Sequence, residues 1–137
     1  MEHSTKVKDY TKLNLRGEVE DQAPKFDMSP DMEYRPARVP LDLENSGVSF
    51  FRLEPNFRVP FGHTHNEQEE IYIVVEGSAR LKVDDEILEL KPWDAVRISK
   101  ETMRNLEGGP DGAEILLFGA PNAGSGDAQM SQGWWTD

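Results

Sequence analysis

The most regular feature of this chain is a series of short apolar runs between residues 47 and 120. Each is about five to nine residues long and rich in Val, Ile, Phe and Tyr, and Gly, Pro, Asn and Asp separate them. Alternation is visible where Leu81 and Val83 flank Lys82, and where Val96 and Ile98 flank Arg97. Helical periodicity is absent. The pattern predicts an all-β sandwich or barrel over residues 33–120, with no helix longer than two or three turns. Gly77 reads as a hairpin glycine, and Gly108-Gly109-Pro110-Asp111-Gly112 as a hairpin turn. Met103 and Phe118 read as barrel lining.

One run departs from simple alternation. Ile71, Ile73 and Val75 share one face of a strand, Tyr72 and Val74 the other, and both faces are apolar. A strand apolar on both faces is covered on both. The expected cover is the N-terminal region or a second subunit, and a homodimer is the resulting expectation.

Outside the barrel the pattern weakens. Residues 1–32 mix charges and prolines and read as an ordered or half-ordered polar arm, with Val7–Leu15 a candidate edge strand or helical turn. Residues 121–137 are rich in Gly, Ser and Asn and read as a linker-like tail. Trp134 and Trp135 are unusual there, and are expected to anchor the tail on the body or to form a lid over a pocket.

Composition narrows the chemistry. The chain has 137 residues, which predicts one domain, and 26 acidic against 15 basic residues give a net charge of −11. That balance argues against sequence-independent nucleic-acid binding and against adsorption to an anionic membrane. No cysteine is present, which removes disulfides, thiol nucleophiles, iron–sulfur clusters and Cys-based zinc sites. The opening residues carry no apolar leader-like run and no stretch is long enough to span a membrane, so a cytoplasmic location is expected.

Of the three histidines, His3 reads as solvated. His63 and His65 stand two apart, so a strand puts both imidazoles on one face, ~7 Å apart along the chain. Glu67, Gln68, Glu69 and Glu70 follow, each with an oxygen to offer. Imidazole plus carboxylate suits Fe, Mn, Zn, Ni or Cu, and two His with one carboxylate is the facial arrangement of non-haem iron sites.

The segment from Gly62 through His63, His65 and Glu70 to Gly77 resembles the first motif of the cupin superfamily, H-x-H, three or four residues, E, six residues, G. Here four residues separate His65 from Glu70, and six separate Glu70 from Gly77. The resemblance covers roughly residues 33–120. It implies a double-stranded β-helix barrel of the jelly-roll type, often dimeric, with a metal held inside the mouth by His63, His65 and Glu70. Where the family has a Gly before the first His, this chain has Phe57, with Asn56 beside it able to turn left-handed.

The family's second motif does not match. Its five positions fall on Trp93, Ser99, Glu101, Arg104 and Gly108, although Leu90–Ile98 still reads as the turn and strand that precede it. Arg104 occupies the place of the fourth ligand, and a guanidinium has no lone pair for a metal. Either a three-ligand metal site stands beside Arg104, which binds an anionic substrate group, or Arg104 pairs with Glu70 or Glu69 and the barrel is a metal-free pocket. Tyr72 shares the strand parity of Glu70 and is expected to point into the pocket as a second substrate-binding residue, or to fill the core. Glu67 and Glu69 read as solvated charges, and Gln68 as a loop residue.

Three functions are compatible with this reading. One is a metal-dependent enzyme of dioxygenase, isomerase or decarboxylase type acting on a small polar organic acid. The second is a non-catalytic small-molecule-binding or sensor module with Arg104 as its polar anchor. The third is a barrel kept for oligomerisation or storage, for which one barrel is short.

Overall fold

A computed structural model describes residues 9–137. Among them the only helical elements are a 3-10 turn at Ala23–Phe26 and a four-residue helix, α1, at Arg38–Leu41. Eight strands form the sheet: β1 (Met32–Pro36), β2 (Gly47–Leu53), β3 (Phe61–His65), β4 (Glu69–Val83), β5 (Glu86–Leu90), β6 (Ala95–Ile98), β7 (Arg104–Ala120) and β8 (Ala128–Gln132). All pairings are antiparallel in one curled sheet.

Two long strands form its spine. β7 lies along β4 for most of its length. Its other edge is shared: the C-terminal half pairs with β2 and the N-terminal end with β3. β5 and β6 flank the two halves of β4, and β1 and β8 extend the sheet beyond β2 and β3.

β4 corrects the hairpin expected at Gly77. In its first half Glu70, Tyr72 and Val74 are buried, at even positions; in its second half Ala79 and Leu81 are, at odd ones. A continuous strand can change parity only by inserting residues, and the β4–β7 register shifts between Val74 and Glu76 and again between Gly77 and Ala79. Gly77 has φ +77°, and a Cβ there would meet the Gly112 carbonyl oxygen at 2.1 Å, so only glycine fits. The expected hairpin turn at 108–112 is likewise an irregularity within β7, which runs on beside β4 without reversing. Both glycine groups punctuate strands internally, where the facing backbones meet.

The core gathers inward side chains of every layer, including Leu53, Tyr72, Leu81, Ile98 and Ile115. Ala23, Met28 and Met32 belong to the same cluster, so the segment before the barrel packs into it. Asp21 fixes that segment: its Oδ1 accepts the backbone N–H groups of Ala23 and Tyr34, both at 2.9 Å. Residues 9–15 form neither the strand nor the helical turn considered for Val7–Leu15; Val7 and Lys8 lie outside the described residues.

Two further expectations are corrected. The tail is not a linker throughout, because Ala128–Gln132 forms β8 along β3. Phe118 does not line the barrel but faces outward, 37% exposed, beside its register partner Ile71 at 40%. Nothing among residues 9–137 covers Ile71. The tryptophans anchor the tail: Trp135 is buried beneath the guanidinium of Arg58, 4.1 Å from its ring centre, with Arg80 at 5.4 Å, and Lys82 lies over Trp134. Glu107 links the two arginines.

Candidate metal centre

β3 is held between β7 and β8, with His63 opposite Arg104 on one side and Met130 on the other. This fixes the strand face from which His63 and His65 project. Glu70, one residue into β4, returns to the same mouth. Asn56 has φ +62°, the left-handed turn that the family's preceding glycine would make next door.

The three side chains converge. His63 Nε2 is 3.3 Å from Glu70 Oε1, His65 Nε2 is 3.1 Å from Glu70 Oε2, and one ligand atom from each residue lies within 4.8 Å of the others. Ligands at ~2.0–2.2 Å from one ion stand about 3.0–3.5 Å apart, and both imidazole–carboxylate spacings fall in that range. Tyr72, fully buried, donates its hydroxyl to Glu70 Oε1 at 3.2 Å. Glu67 and Glu69 are exposed and outside the cluster. Gln68 bonds the Pro121 carbonyl instead of turning inward as a ligand.

Arg104 lies beside Glu70, completely buried. Its Nη2 donates to the Ser99 carbonyl at 2.8 Å, and Nη1 stands 3.6 Å from Glu70 Oε1, within ion-pair range but without a hydrogen bond. Nε and Nη1 have no hydrogen-bond partner among the described residues.

Asp127, just before β8, is the member that sequence reasoning missed. Its Oδ2 accepts the His65 Nδ1–H at 2.9 Å, and its oxygens also accept the backbone N–H groups of Glu67 and Gln68. No spacing signal links a residue in a glycine-rich tail to a histidine 62 positions earlier.

This bond has an electronic consequence. With its proton on Nδ1, His65 turns the other nitrogen toward Glu70 Oε2, and that buried Nε2 has no hydrogen-bond partner. A lone pair facing a carboxylate oxygen at 3.1 Å is repulsive unless a proton or metal ion stands between them. The titration directions agree. Burial works to lower the His65 pKa, but Glu70 and Asp127 on either side outweigh it, and the pKa is raised. Burial dominates at His63 and lowers its pKa despite Glu70. Burial also acts to raise Glu70, but the two imidazoles outweigh it and hold the carboxyl at about 2. Burial, with Glu70 beside it, pushes the Tyr72 phenol well above its ordinary value.

The cluster is the floor of a cavity of about 480 Å³, bordered at its mouth by the tail segment 122–126. A barrel of this topology has counterparts among solved structures. The fold is that of a small cupin. A cupin protein from Bacteroides fragilis is 26% identical, with 87% of this chain and 89% of that one covered at a TM-score of 0.68. A polyketide cyclase from Streptomyces resistomycificus is 22% identical over 93% of this chain and 88% of its own, at 0.70. A sugar phosphate isomerase of the cupin superfamily from Silicibacter pomeroyi is 18% identical over 89% and 92%, at 0.66. No family model matches the chain, and no curated protein matches it. No helix among the described residues is long and apolar enough to cross a membrane.

Proposed function

We propose that this cupin holds one divalent transition ion, from among Fe, Mn, Zn, Ni and Cu, on His63, His65 and Glu70, and binds a small molecule with an anionic oxygen group at the same floor. The carrying observation is the His65–Glu70 contact. Its facing nitrogen and oxygen are reconciled by a proton or a metal ion between them, and Asp127, by accepting from Nδ1, leaves Nε2 as the nitrogen that can serve as a ligand. A bound ion supplies Lewis-acid polarisation of a substrate oxygen. The chain's own residues do the rest. Tyr72 holds Glu70 by its Oε1, Asp127 orients His65, and Arg104 contributes a fixed positive charge with two unpaired nitrogens toward an anionic group.

Such a floor is compatible with isomerase, decarboxylase and dioxygenase chemistry alike. The similar structures include an isomerase and a cyclase, and one fold hosts many reactions.

A second reading is favoured by one distance. Arg104 Nη1, 3.6 Å from Glu70, can neutralise that carboxylate itself, leaving a metal-free binding pocket with Arg104 as its anchor. Elemental analysis of protein purified without added metal separates the two. The first reading requires about one transition ion per chain, lost in His63→Ala while circular dichroism stays that of a β-protein. Metal-free protein that takes up none on dialysis supports the second.

A further inference from the structure

The cavity above the metal floor has two chemically different halves. The floor carries the polar groups already described: His63, His65, Glu70, Tyr72 and Arg104. Elsewhere the lining is richer in apolar groups, Tyr34, Phe51, Phe61, Met28, Met32 and Val59 among them, with Arg38 and Ser49 interspersed. Tyr34 and Phe51 are register partners on β1 and β2, and their rings stand 5.2 Å apart at 58°. Phe61 reaches the floor, its ring 6.5 Å from that of His63 and edge-on to it. An aromatic surface is therefore continuous with the candidate ligand set.

Such a wall selects against the small, highly polar acids expected from composition and motif alone. A hydroxyl-rich molecule filling about 480 Å³ would leave those of its oxygens that lie against the rings and thioethers unpaired, and an unpaired polar group in such a place costs about 1–3 kcal/mol. A flat apolar body gains there from buried area and from edge and offset ring contacts. Polar groups interrupt the wall on the β1 side, where Arg38 and Ser49 join the Tyr34 hydroxyl, which makes no hydrogen bond to another described residue and can serve a ring substituent. The opposite end offers donors to an anion, because Arg104 Nε and Nη1 are buried without hydrogen-bond partners.

We propose that the cavity takes a planar aromatic acid, its ring system against Tyr34, Phe51 and Phe61 and its carboxylate, with an adjacent hydroxyl or keto oxygen, turned to the floor at His63, Glu70 and Arg104. This deepens the reading of the previous section and rests on it for the floor alone. The ring half stands on the wall.

The test compares probes that differ in the ring. Titration calorimetry with 1-hydroxy-2-naphthoate, oxalate and glucose 6-phosphate is run on protein as purified and again after chelation. Oxalate offers neighbouring anionic oxygens with no ring, and the sugar phosphate offers hydroxyls and a dianion. The naphthoate should bind at least tenfold more tightly than either. Phe51→Leu, which keeps most of the volume and removes the ring, should weaken the naphthoate three- to tenfold and leave oxalate within twofold. Wild-type protein alone suffices if the variant does not fold, because the preference among probes is read without it. Equal or tighter binding of oxalate or glucose 6-phosphate, no binding of the naphthoate at 1 mM, or an equal effect of Phe51→Leu on naphthoate and oxalate overturns the inference, whatever the metal content. Naphthoate preference that persists in chelated protein incapable of metal uptake supports it and overturns the metal reading instead.

Discussion

His65 Nδ1 and Asp127 Oδ2 are 2.9 Å apart, and this hydrogen bond ties the strand that bears the histidines to the residue that leads into its partner strand β8. Asp127 also receives the N–H groups of Glu67 and Gln68, so the turn between His65 and Glu70 is built around its carboxylate. Asp127→Ala should lower divalent-metal affinity 10- to 100-fold, the usual cost of losing a group that orients a ligand. Asp127→Asn, which keeps an acceptor oxygen for His65, should recover part of that loss. Competition titration against a chromophoric chelator measures both. Equal affinity in wild type and Asp127→Ala would remove Asp127 from the site.

Arg104 sets a second expectation. A unit charge about 4 Å from a dication costs several kcal/mol at an effective dielectric near 20. Arg104→His removes that charge and supplies a fourth donor, so it should tighten metal binding at least tenfold. His63→Ala should abolish stoichiometric binding. If wild type and Arg104→His bind equally weakly and His63→Ala changes nothing, the pocket is an anion site. Arg104→Ala, and no histidine change, should then abolish oxalate binding.

The depressed Glu70 carboxyl makes the metal-free protein acid-sensitive. A pKa lowered from 4.5 to about 2 means that the folded state favours the carboxylate. The stability from this source is present above pH 4.5 and is lost as pH falls from there toward 2, on the order of 3 kcal/mol in all. His63, lowered by burial, adds a loss in the same direction as pH falls through its folded pKa, while His65, raised, works oppositely. Urea unfolding of chelated protein at pH 7, 5, 4 and 3 should trace the decline, and Glu70→Gln should flatten it below pH 5. An unchanged slope in Glu70→Gln would contradict this assignment.

The outward pair Ile71 and Phe118 carries the expectation of a homodimer. These residues adjoin across β4 and β7, and no described residue covers Ile71. Sedimentation velocity at micromolar concentration should report a dimer, and Ile71→Lys should shift it to monomer with unchanged circular dichroism. A wild-type monomer at 100 μM would refute the expectation.

The barrel was legible because its evidence is local. Short alternating runs specify strands, and the parity of Glu70, Tyr72 and Val74 in β4 follows from adjacent residues. The spacing of His63, His65 and Glu70 was legible for the same reason, since one turn and two strand ends bring them together. What escaped depended on distant backbone. Gly77 and residues 108–112 have turn composition, yet each faces the other's backbone across β4 and β7, where close approach uses glycine as a turn does. β8 is largely polar and pairs through main-chain groups, so Ala128–Gln132 has no hydrophobic signature. The wall of Tyr34, Phe51 and Phe61 draws single residues from three strands, and no window of sequence contains it.

The position of β8 also governs when the site can exist. Both edges of β3 are occupied only after Ala128–Gln132 docks, and Trp135, clasped by Arg58 and Arg80 just beyond β8, secures that docking. A chain emerging from the ribosome therefore carries His63 and His65 long before it can orient them. Contacts of such sequence separation form late and slowly. The geometry of the candidate ligand set is thus expected to assemble late, once β8 has paired with β3.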